Sequence, residues 1–183
     1  MILAHTRGWT RWHPLGKTGE RGSAENPNRV GAKLPHGANI MTSPIHNMNI
    51  IRHYRDDRPH SEERVLSPSW AEVEAAIRRM DRDNGYIQIV QLNCTADGDD
   101  DDIFNVISGN GNWVPFQMSG EWEYDDPAGG DDMVSLWGGD RRPFCEGRNA
   151  LADVEKVLKL TRAFYDSGSY ERLDEVALSM REG

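Results

Sequence analysis

The 183 residues, 37% apolar and 28% charged, suit one domain with a true core and are too few for two ordinary ones. A mean hydropathy of -0.71 implies that part of the chain is loop or tail, and no run approaches the roughly 18 apolar residues of a membrane-spanning helix. The formal net charge is -9, and the two cysteines, Cys94 and Cys145, are too few for a disulfide framework or a zinc knuckle, so both are expected as buried, reduced thiols.

Residues 1–64 read as an irregular N-terminal extension, in part upstream of the native start if that start is Met41 or Met48. Pro14, Pro27, Pro35, Pro44 and Pro59 would interrupt any regular element there, and all six histidines fall within it. The opening MILAHTRGWTRWHP has too short an apolar run for a secretory signal, which points to the cytoplasm. A weak alternation over Met48–Tyr54 allows one short strand, and the fold is not expected to need the first 40 residues.

The domain proper is expected over residues 65–183. Ser67-Pro68 and the capping box Ser69-Trp70-Ala71-Glu72 start a helix, along which Trp70, Val73, Ile77 and Met80 recur at helical spacing as far as about Arg82. Tyr86–Asn93 follows as a strand of mixed alternation. Ile103–Ser108 and Trp113–Met118 then read as antiparallel neighbours joined by Gly109-Asn110-Gly111-Asn112. Further short strands are predicted over Trp122–Tyr124 and Met133–Trp137. In the second of these Val134 and Leu136 share one face. A last helix spans about Ala150–Ser167, with Asn149 as its cap and Gly168 as its stop. Strands between two principal helices predict an α+β domain: a mainly antiparallel sheet with helices packed on it.

Enzyme chemistry finds little purchase. The predicted domain has no histidine, no GxSxG elbow, no Walker loop and no HExxH helix, and its Gly-rich turn joins two strands instead of opening a helix. An EF-hand register begun at Asp97 puts Asp102 where glycine is needed and Ser108 where a carboxylate is needed. Asp97, Asp99, Asp100, Asp101 and Asp102 therefore remain open to three readings: a solvated loop, an irregular oxygen-ligand site for a divalent cation, or a face for a basic partner. No cofactor is implied. Glu121 and Glu123 alternate with Trp122 and Tyr124, placing the acids on one side and the aromatics on the other, and Trp122 is expected as an exposed interface anchor.

Charge is unevenly placed. Residues 1–95 carry 13 Lys or Arg against 10 Asp or Glu, whereas residues 96–183 carry 8 against 20. Asp97–Asp140 contains 12 acids and no Lys or Arg, a stretch that would repel nucleic acid and anionic membrane and attract a cationic surface.

The order SWAEVEAAIRRMD, a strand, VISGNGNW, VSLWGGDRRPF and LADVEKVLKLTRAFYDSG, over roughly Ser67–Val176, resembles the first-numbered immunity protein family of bacterial polymorphic toxin systems. Asp140 stands where that family more often has Gln, and Val176 near a position where it has Trp. The resemblance implies an α+β, non-enzymatic inhibitor of a cognate toxin, a nucleic-acid deaminase first and a nuclease next. The residues expected to meet the toxin's basic cleft are the Asp97–Asp102 loop, Glu121, Trp122, Glu123, Tyr124, Asp125, Asp126, Asp131 and Asp132. An adaptor for some other basic partner and a divalent-metal module or enzyme are the alternative readings.

Overall fold

The computed structural model describes residues 43–54, 59–80, 86–95, 102–136 and 144–181, all within one compact unit, residues 40–183. In chain order it contains β1 (Asn47–Tyr54), β2 (Ser61–Leu66), α1 (Trp70–Arg78), β3 (Tyr86–Asn93), β4 (Ile103–Gly109) and β5 (Asn112–Gln117). After these come β6 (Met133–Ser135), β7 (Phe144–Glu146), α2 (Val154–Ser167) and α3 (Tyr170–Arg181). The first five strands form one antiparallel sheet in the order β2-β1-β3-β4-β5, and β6 pairs with β7. The fold is α+β.

Register explains the core. Met48, Leu92 and Phe104 lie directly opposite one another across β1, β3 and β4, and Ile50, Val90 and Val106 form the next row. Side chains alternate along a strand, so these rows share one face, and all six side chains are buried. Onto that face pack Val73 and Ile77 of α1, Val157, Leu160 and Phe164 of α2, and Leu173 and Ala177 of α3. The other face carries a smaller cluster of Val114, Leu136 and Cys145. On β3 itself Val90 and Leu92 are buried on one face and Ile87 and Asn93 on the other, which accounts for its mixed alternation.

Local chemistry sets the element ends. At α1, Ser69 Oγ accepts from the Glu72 amide at 3.4 Å while the Ser69 amide donates to Glu72 Oε2 at 2.7 Å, completing the capping box. Arg78 then joins Glu74 at 2.8 Å and Glu155 at 2.6 Å, tying α1 to α2. The β4–β5 hairpin turns through Asn110 (φ 51°) and Gly111 (φ 79°), both in the left-handed region that a two-residue turn of this hand requires. Gly109 is needed for space: a Cβ there would fall 1.8 Å from the Leu136 carbonyl oxygen.

Several expectations are corrected. The irregular segment does not run unbroken to residue 64, because β1 and β2 belong to the main sheet and β1 lies between β2 and β3. α1 ends at Arg78, short of Arg82. Asp153 caps α2 in place of Asn149, accepting from the Glu155 amide at 2.9 Å. Gly168 does stop α2, in the left-handed conformation, but the chain then turns into a third helix, α3. Trp122–Tyr124 forms only an isolated bridge to β5, at Glu123, and the Met133 strand ends at Ser135, with Trp137 outside the described residues. No described helix is long and apolar enough to cross a membrane.

Candidate partner-binding surface

The segment after β5 is held by its backbone before its side chains contribute. The Gln117 amide donates to the Trp122 carbonyl at 2.7 Å and the Tyr124 amide to the Pro115 carbonyl at 3.1 Å, so residues 122–124 run along the outer edge of β5. The alternation read from the sequence then decides which side chains turn inward. Trp122 is 9% exposed and Tyr124 1%; Glu121 is exposed and Glu123 half-buried. Trp122 packs beside Phe104 and Tyr170 with ring centroids 6.0 and 5.9 Å apart, and its indole N–H donates to Asp174 at 2.7 Å.

This overturns one expectation. Trp122 and Tyr124 are core residues and not exposed anchors, because aromatic area gains more from burial than two flanking carboxylates can prevent when those point the other way. The aromatic side of the alternation faces the protein. The acidic side faces water.

Beyond Tyr124 the chain is fastened to the loop after β7. The Tyr124 carbonyl accepts from buried Asn149 Nδ2 at 2.7 Å, and the Asp126 amide donates to the Arg148 carbonyl at 2.8 Å. The Arg148 amide returns a bond to the Gly130 carbonyl at 2.8 Å, and the Gly147 amide one to the Asp132 carbonyl at 2.9 Å. Gly129 and Gly147 pass so closely that a Cβ on Gly147 would lie 2.5 Å from the Gly129 oxygen. Asp126 accepts from the Ala128 amide at 3.0 Å and starts the short 3-10 turn Pro127–Gly129. The acids of this region therefore stand on a cross-linked pair of loops.

Spatially they have cations that the local sequence lacks. Arg148 Nε lies 2.6 Å from Asp125 Oδ1, its Nη1 lies 3.1 Å from Asp131 Oδ1, and Arg181 of α3 donates to the Asp125 carbonyl. The Asp125 contact raises the Arg148 pKa and keeps it charged. Asp125, Asp131 and Glu146 lie near Arg148, and residues 121–132 carry six carboxylates and no Lys or Arg of their own, so the segment keeps a negative excess. Glu121, Asp131 and Asp132 are exposed.

Asp102 is half-buried, and its carbonyl accepts from the Cys94 amide at 3.3 Å. Asp97, Asp99, Asp100 and Asp101, like Gly138-Gly139 and Asp140, lie outside the described residues. Among the described residues no group of three His, Cys, Asp or Glu side chains is arranged to hold a metal ion. Cys145 is buried and Cys94 half-buried; both are free thiols whose pKa is pushed up to about 11, mainly by burial and then by nearby carboxylates.

No family model matches the chain, and neither does any curated protein or solved structure. The site residues that sequence reasoning missed are those that build the platform: Arg148, Asn149, Asp174 and Arg181. Arg148 follows the cation-free stretch closely enough to raise the question of a pair. Nothing local to Asp174 points to an indole 52 residues away.

Proposed function

We propose that this chain is an immunity-type inhibitor, a non-enzymatic binding protein that occupies the cationic substrate cleft of a toxin acting on nucleic acid, a deaminase first and a nuclease next. The observation that carries the reading is the negative patch over residues 121–132, with Glu121, Asp131 and Asp132 exposed on loops fixed to the core by Trp122, Tyr124 and Asn149. An enzyme that works on a phosphate backbone needs a basic cleft, and a rigid acidic surface offers the complementary field. Such a field raises association rates by roughly 10 to 1000 fold at low salt, while each exposed ion pair adds only about 0 to 1 kcal/mol. The sequence resemblance supports the same class, and the Asp97–Asp102 loop would extend the acidic surface.

The test is capture of a deaminase toxin domain encoded beside this chain, followed by stopped-flow association at 20 and 300 mM salt. Replacing Glu121 with Gln and Asp131 and Asp132 with Asn should slow association about tenfold at low salt and flatten its salt dependence. Unchanged kinetics would remove this patch from the interface. A stoichiometric calcium, magnesium or manganese isotherm in calorimetry, with no toxin binding, would favour the metal-module reading.

A further inference from the structure

β2 is the open margin of the main sheet: among the described residues no strand pairs with its outer side. Glu62, Glu63, Arg64 and Leu66 are exposed, Leu66 at 66%. Such a margin either is blunted by its charges or accepts another strand, and the arrangement of the charges separates the two cases.

We infer that β2 pairs with β2 of a second copy of this chain, antiparallel about a two-fold axis through Glu63, joining two five-stranded sheets into one. Geometry limits the registers. An axis normal to the sheet leaves the two faces aligned, and directly opposite residues of antiparallel strands share a face, so one residue must sit opposite its own copy. Centring on Glu62 sets Glu62 against its copy and Ser61 against Glu63, with no opposite-charge carboxylate pair. Centring on Arg64 sets two guanidinium groups together and Glu62 against Leu66.

Centring on Glu63 sets Glu62 opposite Arg64 of the second copy, twice by symmetry, Ser61 opposite Val65, and His60 opposite Leu66. Two ion pairs form on one face, and Leu66, the most exposed leucine among the described residues, gains a ring to cover it. The single unfavourable meeting, Glu63 with its copy, falls on the other face, where Arg52 lies 3.8 Å from each Glu63. An arginine has five donors, so Arg64 can serve a carboxylate across the axis while keeping contacts within its own chain. The inference rests on β2 alone and stands or falls apart from the toxin reading.

Sedimentation equilibrium of the full chain from micromolar to millimolar concentration should show a monomer–dimer equilibrium. Arg64→Glu, which turns both ion pairs into repulsions, should weaken the dimer by roughly tenfold or more, and the Glu62→Arg/Arg64→Glu swap should restore it. Circular dichroism of each variant reports whether the fold is kept. Register is read independently by oxidation: Glu63→Cys, opposite its own copy, should cross-link, whereas Glu62→Cys should not. Cys94 and Cys145, held as protonated thiols at pH 8, compete little. A chain that stays monomeric at millimolar concentration, a dimer indifferent to Arg64→Glu, or equal cross-linking of the two cysteine variants would overturn the inference.

Discussion

An indole carries one N–H, and burying it without an acceptor costs free energy. Asp174 supplies that acceptor to Trp122, so the ring can sit in the core among Phe104, Tyr170 and Phe164. Trp122→Ala should therefore lower stability by about 3 to 5 kcal/mol in urea denaturation, whereas Glu121→Gln, one residue earlier and exposed, should stay within about 0.5 kcal/mol. Equal effects would mean that the alternation does not sort these side chains. The period-2 pattern of this segment was legible in the sequence, because it depends only on neighbours. Which side faced the core was not, because that depends on an acceptor delivered from α3 and on the Asn149 side chain that holds the Tyr124 carbonyl.

Elements whose signals are local were read well: the α1 capping box, β3, and the β4–β5 hairpin with its left-handed turn. β2 was missed because SEERVL has no apolar alternation, being a margin strand with one neighbour. α3 was missed because Gly168-Ser169 reads as an end, although Tyr170, Leu173 and Ala177 keep a helical spacing beyond it. The capping box yields a prediction with a definite sign. Hydrogen bonds from the Ser69 amide and hydroxyl hold the Glu72 pKa below its usual value, so the folded state binds that proton less tightly than the unfolded chain does. The resulting stability is present above the unfolded carboxylate range and is lost as pH falls through the folded pKa. Ser69→Ala should lower Tm by roughly 2 to 4 °C at pH 7 and by clearly less at pH 3. A constant difference across that range would mean that the Ser69 hydroxyl contributes nothing to holding the Glu72 carboxylate, whose bond from the Ser69 amide the variant keeps.

At the scale of the whole molecule, the acidic bias of the C-terminal half was plain from composition, while its partial neutralisation by Arg148 and Arg181 needed the fold to bring distant segments together. The place of β1 between β2 and β3 has a similar origin, since a strand flanked by prolines and polar residues shows its worth only beside β3. A chain begun at Met41 retains β1 and β2 and should melt cooperatively within a few degrees of the full chain. One begun after Tyr54 loses buried Met48 and Ile50, at roughly 1.5 to 3 kcal/mol each, and bares β3. That shorter chain should lose its cooperative transition and precipitate on heating, as followed by circular dichroism and light scattering. The opposite border of the sheet behaves differently. Trp113 and Leu151 exchange two backbone hydrogen bonds of 2.8 Å, and the Gln117 amide and Pro115 carbonyl bond to Trp122 and Tyr124 of the following segment, so β5 has little left to offer an incoming strand. Head-to-tail growth needs two adhesive borders, and among the described residues the main sheet offers one, at β2, so an encounter through that sheet stops at a pair instead of propagating into a fibre.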